Sequence, residues 1–233
     1  MEEITIIFFS CGRLHLLKQT VAAIMEHNKY PLQEIIIVND SADKNIHKQL
    51  KYLYPDFTLV LNEENVGLMK SIDIGYAHIK TEYFFHCEDD WLVTKGGFIE
   101  KSLAIMKDHP EIEEVWLKDY NKHPLDPPIY ESGGVQYKLV EGGTYKGFEG
   151  YDEGWHGFAT ACGLKRLSDY RKVAPYSAIK YRGSWDKPTI WHREYAIGLA
   201  YHKLGYRTAC LIDDEYATNI GIGQSEYKTG SEK

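Results

Sequence analysis

The sequence has 233 residues, of which 43% are hydrophobic and 26% are charged, which is typical of one globular domain. The net charge of −7 argues against nucleic acid and anionic membrane surfaces as partners, because both would repel the protein. The N-terminus lacks the basic flank of a signal peptide, and the apolar runs are too short for an integral membrane segment. With four singly spaced cysteines, we expect a cytoplasmic protein with reduced thiols.

In the first half of the chain, apolar runs typical of buried strands alternate with helical patterns. A strand at 4–9 is followed by apolar residues at spacings of three and four, namely Leu14, Leu17, Val21 and Ile24. Strands are also predicted at 34–38, at 57–61 and from residue 83, with helices at 44–53, 66–79 and 96–108 and a further strand at 115–118. This alternation predicts an α/β fold with an open, mostly parallel twisted sheet flanked by helices.

The second half of the chain has a different character. Between residues 119 and 155 glycines, prolines and tyrosines are frequent, and the stretch IYESGGVQYKLVEGG suggests a hairpin. Regular structure is expected again at 158–164, in a helix at about 193–204 and in a strand at 207–212. We therefore divide the single domain into residues 1–118, residues 119–215 and a polar tail, 216–233, that we expect to be mobile.

Three consecutive carboxylates, Glu88, Asp89 and Asp90, follow the apolar strand that begins at residue 83. Burying like charges together is costly unless solvent or a cation compensates them. The cluster lies at the carboxyl end of its strand, where ligands bind in parallel sheets, and alternation along the strand predicts Glu88 and Asp90 on one side and Asp89 on the other. It is a candidate site for Mg²⁺ or Mn²⁺, with a solvated surface turn as the alternative.

Four motifs occur in a characteristic order along the chain. They are CGR at the tip of the first strand, Asp40 at the end of the second, NVGLMKSIDIGY at a helix entry, and EDDW. This order resembles the nucleotide-sugar-binding half of GT-A glycosyltransferases, above all the inverting enzymes of family 2. The acidic motif is also similar to the Glu-Asp-Asp of N-acetylglucosaminyltransferase I. The resemblance implies that residues 1–118 bind the donor and that residues 119–215 bind the acceptor and perform catalysis. For the polar tail, 216–233, the glycines suggest hinges that fold it over the bound donor as a lid, and a plain mobile terminus is the alternative.

The resemblance also implies roles for individual residues. Those assigned to the nucleotide-sugar are Ser10, Cys11, Gly12, Arg13, Asp40, Asn65, Gly67, Lys70, Glu88 and Asp89. Asp40 would accept a hydrogen bond from the uracil ring NH, Lys70 would face phosphate or ribose, and Asp90 would bind the Mn²⁺ or Mg²⁺ that bridges the diphosphate. Some of these residues also have a structural alternative. Gly12 would permit the turn after the first strand, Asp40 would cap the following helix, and Lys70 would be a solvated helix residue.

An inverting reaction needs a base that deprotonates the acceptor hydroxyl as it attacks the anomeric carbon. The family places an acidic pair before a helix that ends in a Gly-Tyr-Arg-like turn, and the corresponding stretch here is WHREYAIGLAYHKLGYR. Glu194 is the one acid in this stretch, and the resemblance implies that it is the catalytic base. The alternative is an ordinary carboxylate near a helix N-terminus, which the helix dipole favours.

Aromatic and metal-ligand candidates complete the set. Trp155 and Trp185 are possible platforms for sugar rings, whereas Trp191 is expected in the core. Asn219 stands where many relatives have a histidine metal ligand. His156 and His192 are substitutes by residue type, although a lone histidine near aromatic residues is more often structural.

These features predict a metal-dependent glycosyltransferase. It would move a sugar from a nucleotide-sugar donor, specifically a UDP-sugar, to a hydroxyl of a glycan, glycoconjugate or protein-glycan acceptor. A sugar nucleotidyltransferase is one alternative, although it would normally have a glycine-rich basic loop after the first strand, and SCGRLHLL contains one glycine. A non-catalytic nucleotide-sugar or glycan-binding module is the other, and it would keep the pocket without the base.

Overall fold

A computed structural model describes residues 1–117, 128–140, 153–182, 189–212 and 215–221. The alternation predicted for the first half is present. Its elements are β1 (Ile4–Ser10), α1 (Leu14–His27), β2 (Glu34–Asn39), α2 (Lys44–Leu53), β3 (Thr58–Leu61), α3 (Leu68–Tyr76), β4 (Tyr83–Glu88), β5 (Trp91–Val93), α4 (Phe98–Asp108) and β6 (Ile112–Trp116).

The second half contributes the remaining elements. They are β7 (Ile129–Ser132), β8 (Val135–Leu139), β9 (Gly163–Arg166), α5 (Leu167–Val173), α6 (Ile190–Lys203), β10 (Arg207–Leu211) and β11 (Ala217–Asn219). The predicted hairpin is confirmed as β7 and β8, which pair antiparallel. The regular segment expected at 158–164 is wrong in its position, because β9 begins only at Gly163. Residues 158–162 instead run irregularly beside the acidic cluster.

The described residues form a mixed sheet in the order β3-β2-β1-β4-β9-β6-β10-β8-β7. The strands β3, β2, β1 and β4 are mutually parallel, as the βα alternation predicted. The strand β9 lies between β4 and β6 and is antiparallel to both. A separate two-stranded sheet joins β5 to β11, so the first residues of the tail, 217–219, are part of the fold.

The core consists of two apolar clusters that lie on opposite faces of the sheet. In the fully buried strand β1, Ile4, Ile6 and Phe8 belong to one cluster, and Ile7 and Phe9 belong to the other. Helices α1 and α4 pack into the first cluster, and α3 and α6 pack into the second. None of the helices in the described part of the chain is long and apolar enough to cross a membrane.

Two helix boundaries differ from the predicted ones for local reasons. The helix predicted at 66–79 begins at Leu68, because Gly67 has φ +82° and therefore stands outside the helix. The helix predicted from residue 193 begins at Ile190, because Thr189 and His192 form a reciprocal capping box. The earlier start places Glu194 within the second turn of α6.

Candidate active site

The carboxyl ends of β1, β2 and β4 meet at one edge of the sheet. The register of the strands pairs Ser10 with Asn39 and Phe9 with Glu88. The backbone N–H of Asp40 donates to the carbonyl of Ser10 over 2.9 Å. Residues that are far apart in the sequence and predicted to bind the donor are therefore neighbours, as expected for the ligand-binding edge of a parallel sheet.

Asp40 is held by donors from the chain that leads to α3. Its Oδ1 accepts from Asn62 Nδ2 at 2.7 Å and from the Val66 N–H at 3.0 Å, and its Oδ2 accepts from the Gly67 N–H at 2.9 Å. Asp40 is 1% exposed. The alternative role as cap of the following helix is wrong, because Asp43 caps α2. Asp40 fixes the entry to α3, and contact with a uracil ring stays a prediction.

Two other predicted donor-site residues, Cys11 and Asn65, lie beside Asp40. Cys11 Sγ contacts the Asp40 carbonyl at 3.7 Å, and Asn65 Nδ2 contacts Cys11 Sγ at 3.2 Å. Gly12 has φ +82°, which supports its role in the turn after β1. Lys70 is exposed on α3. Cys11, Asn65 and Gly67 thus lie together with the buried Asp40, and Lys70 is on the helix that Gly67 precedes.

The acidic cluster is compensated by an arginine of the chain itself. The guanidinium of Arg13 binds Asp89 through Nη2 and binds Asp90 Oδ2 through Nη1 at 3.0 Å. Ser10 Oγ donates to Asp89 Oδ2 at 2.8 Å. The predicted alternation of the cluster is wrong, since β4 ends at Glu88 and the next two residues form a turn that directs both aspartates to Arg13.

The carboxylates of the cluster differ in their electrostatic surroundings. Burial raises the pKa of Asp89 to about 6, against the opposing effect of the Arg13 charge. Burial also raises the pKa of Glu88 well above its ordinary value, and the negative charges of Asp90 and Glu194 raise it further. Glu88 and Glu194 are therefore close enough to interact, although they are far apart in the sequence.

Thr160 joins Glu194 to Glu88. Its backbone N–H donates to Glu194 Oε1 at 2.6 Å, and its hydroxyl lies 2.8 Å from the same oxygen. The hydroxyl is also 3.4 Å from Glu88 Oε1. Glu194 also lies near the N-terminus of α6, so its role as the catalytic base stays a prediction. The candidate base lies against the acidic cluster.

Thr160, Glu114 and Lys165 were not identified from the sequence. Lys165 Nζ binds Glu114 Oε2 at 2.6 Å and the Ala159 carbonyl at 3.2 Å, and the Ala159 N–H donates to Glu114 Oε2 at 3.4 Å. This buried ion pair therefore fixes the N–H and the carbonyl of Ala159, the residue that precedes Thr160. The opposite charges of Glu114 and Lys165 indicate an ion pair only once β6 and β9 are known to be neighbours, which the sequence does not reveal.

The tryptophans differ in their surroundings, and the role of Trp155 as a sugar platform stays a prediction. Trp155 packs against Trp116 at 5.1 Å between ring centroids, and its Nε1 donates to the Phe158 carbonyl. Trp191 is 66% exposed, so its expected place in the core is wrong, since α6 turns other residues inward. Trp185 lies outside the described residues.

The C-terminal segment covers Asp90. The Ile220 N–H donates to the Asp90 carbonyl at 2.8 Å, and Asn219 Oδ1 accepts from the Gly221 N–H at 2.9 Å. A Cβ at residue 221 would lie 2.6 Å from the Cβ of Asp90, so only glycine fits this close approach. Residues 222–233 lie outside the described part of the chain.

The two histidines considered as substitute metal ligands have contacts of their own. His192 Nδ1 accepts from the Thr189 N–H at 3.0 Å and so caps α6, and His156 stacks on His202 with 3.8 Å between ring centroids. Within the described residues, no group of three or more His, Cys, Asp or Glu side chains could hold a metal. A fully protein-built metal cage is therefore not found in this part of the chain.

Asp90 nevertheless suits a sparse metal site. Its Oδ1 is buried and has no hydrogen-bond partner among the described residues. Magnesium-type sites commonly use one or two carboxylates and take their other ligands from substrate phosphates and water. The residues present therefore fit Mn²⁺ or Mg²⁺ with Asp90 as the protein ligand.

Solved structures show the same fold at low sequence identity. S. aureus TarS 1-349 is 12% identical, with a TM-score of 0.57 over 92% of this chain and 59% of that chain. The mannosyltransferase PcManGT from Pyrobaculum calidifontis, in complex with GDP-Man and Mn²⁺, is 13% identical, with a TM-score of 0.56 over 93% and 56%. GalNAc-T7 with UDP, GalNAc and Mn²⁺ is 11% identical, with a TM-score of 0.57 over 91% and 42%. The chain thus spans about half of these proteins.

No curated protein matches the sequence. The sequence model of the family described as Glycosyl transferase family 2, by contrast, matches residues 4–140, which is more than half of the 233 residues. The matched segment contains the sheet edge with the predicted donor-site residues and the whole acidic cluster, while Thr160 and Glu194 follow it. The chain belongs to glycosyl transferase family 2.

Proposed function

We propose that this protein is a metal-dependent, inverting glycosyltransferase that moves a sugar from a UDP-sugar to a hydroxyl of a glycan or glycoconjugate. One observation carries the proposal. Thr160 places Glu194 in hydrogen-bond contact with the edge of the sheet that holds the acidic cluster. The candidate base therefore lies next to the candidate donor site, as an inverting transfer requires.

The donor would bind along the surface formed by Cys11 and Asn65, beside the buried Asp40. The contacts of Asp40 with the entry to α3 make this surface preorganised, because its shape is set by backbone hydrogen bonds. TarS has been solved with UDP-GlcNAc, GalNAc-T7 with UDP, and PcManGT with GDP-Man. These relatives support a nucleoside diphosphate sugar as donor, and two of them support uridine.

Asp90 would hold the metal together with the diphosphate of the donor. Mn²⁺ is present in the structures of PcManGT and GalNAc-T7. A bound Mn²⁺ or Mg²⁺ would supply positive charge that stabilises the diphosphate as it leaves. The buried Oδ1 of Asp90 is the atom that supports this role.

Glu194 would act as the general base. Both donors of Thr160 are directed at Oε1, so we assign Oε2 to the acceptor hydroxyl. As the acceptor oxygen forms its bond to the anomeric carbon, its proton passes to Glu194 and the bond from that carbon to the diphosphate breaks. UDP leaves from the opposite face, which inverts the anomeric configuration.

The released products test this proposal. Purified protein is incubated with Mn²⁺ and a panel of UDP-sugars, with and without glycan acceptors, and free UDP and pyrophosphate are measured. A glycosyltransferase releases UDP in an acceptor-dependent manner. A sugar nucleotidyltransferase forms pyrophosphate from a nucleoside triphosphate and sugar phosphate, and a binding module forms neither product, so either result contradicts the proposal.

A further inference from the structure

The guanidinium of Arg13 occupies the acidic cluster where a bound cation is otherwise needed. The side chains of Arg13, Asp89 and Asp90 are 11%, 1% and 11% exposed, so the charges are largely removed from water. Two buried carboxylates are costly without a compensating charge, and a planar guanidinium can bind both at once. The cluster is therefore stabilised without a metal.

The two oxygens of Asp90 differ in their contacts. Oδ2 binds Arg13 at 3.0 Å, whereas Oδ1 has no hydrogen-bond partner in the described chain. A divalent cation at Oδ1 would lie on the same carboxylate as the guanidinium. Because like charges at such short range repel strongly in a poorly hydrated site, Arg13 and the metal cannot both bind Asp90 at full strength.

We infer that Arg13 is a resident counter-cation that competes with the divalent metal for Asp90. Metal alone then binds weakly, and a nucleoside diphosphate strengthens its binding because the phosphates offset the second positive charge. The inference rests on the proposed function, since that function makes Asp90 the metal ligand. It explains how an acidic cluster with few protein ligands stays folded before the donor arrives.

Titration of Mn²⁺ alone, without nucleotide, tests the competition. Isothermal calorimetry is performed on the wild type, on Arg13→Gln and on the control Lys18→Gln, which removes the same charge from an exposed position of α1. We expect Arg13→Gln to bind Mn²⁺ roughly 5- to 150-fold more tightly than the wild type, the usual range of coupling between sites. The control should change affinity by less than about twofold. Equal or weaker binding by Arg13→Gln overturns the inference.

A further variant, Arg13→Lys, keeps the test decisive if Arg13→Gln folds poorly. Arg13→Lys retains the charge, but a single ammonium cannot reproduce the planar fork over two carboxylates, so its Mn²⁺ affinity should be intermediate. Folding of Arg13→Gln only in the presence of Mn²⁺ also supports the inference. Arg13→Lys with wild-type or weaker affinity contradicts it.

The gain in affinity must depend on Asp90. Adding Asp90→Asn to Arg13→Gln should abolish the tighter Mn²⁺ binding, and its persistence would place the metal elsewhere and contradict the inference. Failure of the proposed function is seen separately, as wild-type UDP release that EDTA does not affect. The two hypotheses can therefore fail independently, because one is read from metal affinity and the other from turnover.

Discussion

Asp40 and Glu194 are both carboxylates at the ligand edge of the sheet, but their hydrogen bonds come from different sources. Asp40 accepts two backbone N–H groups and one side-chain amide from residues 62–67. Glu194 accepts from Thr160, which belongs to a distant irregular segment that Glu114 and Lys165 hold in place. The proposed donor side, around Asp40, is thus held by one nearby segment of the chain. The proposed catalytic side, around Glu194, is held by residues that are remote in the sequence.

This difference predicts that substitutions on the two sides separate binding from turnover. Donor-side changes should weaken nucleotide affinity, because they alter a preformed surface. Catalytic-side changes should lower kcat while leaving donor affinity nearly intact. Four substitutions test this separation, and they follow from the largest expected effect to the smallest.

Glu194→Gln should have the largest effect. We expect kcat to fall by roughly two to four orders of magnitude, as is common when a general base is lost, while UDP affinity changes little. Acceptor-dependent UDP release and calorimetry measure the two quantities. Glu153→Gln is the matched control, since Glu153 is an exposed carboxylate near α6. Wild-type turnover by Glu194→Gln would show that the base lies elsewhere.

Asp90→Asn should act on binding. Loss of the charge at the proposed metal ligand should weaken Mn²⁺-dependent UDP binding by roughly hundredfold, in the range found when a buried charge loses its partner. Wild-type protein with EDTA should show a similar loss. Asp56→Asn removes an exposed charge and serves as the control. Equal UDP affinity in Mn²⁺ and in EDTA would contradict metal dependence.

Thr160→Val should affect turnover less than the loss of the base. The valine removes the hydroxyl but keeps the backbone N–H, so Glu194 loses one of two donors. We expect kcat to fall by roughly 10- to 100-fold, as for loss of a hydrogen bond to a charged group, with an unchanged KM for the donor. Thr160→Ser should restore activity. A fall in stability without this split between kcat and KM would indicate a purely structural role.

Gly221→Ala should have the smallest effect. Its Cβ would press on Asp90, and we expect the segment to shift and the free energy of unfolding to fall by about 1–3 kcal/mol. Denaturant unfolding measures the loss, and UDP affinity should fall a few-fold with it. Gly134→Ala in the β7–β8 turn is the comparison variant for stability, because residue 134 has a positive φ but no atom close to the added Cβ. Unchanged stability of Gly221→Ala would mean that residues 219–221 can move away from Asp90 at little cost in free energy.

Much of the donor side was predictable because its signals are local. The period of Leu17, Val21 and Ile24 predicted α1, and the apolar runs predicted β1, β2 and β4, whose parallel order brings Asp40 and the acidic cluster together. Gly67 shows the limit of this reasoning, since the helix period alone extended α3 beyond its true start.

The rest could not be predicted because it depends on contacts between distant residues. The pair of Arg13 and Asp90 joins positions 77 residues apart, so the sequence did not reveal that an arginine lies beside the acidic cluster. Thr160 lies in an irregular segment without periodicity, and its role follows only from the insertion of β9 between β4 and β6. The exposure of Trp191 likewise depends on which face of α6 packs inward.

The central place of β9 has a consequence for how the chain folds. Tyr83 pairs with Arg166 and Trp116 pairs with Gly163, so the middle of the sheet closes only after most of the chain has been synthesised. A fragment that ends at residue 140 would contain every strand up to β8 and still leave one edge of β4 and both edges of β6 without their partners. Open edges of this kind recruit other chains. We therefore expect slow, all-or-none folding from contacts of high sequence separation, and aggregation of the shorter fragment.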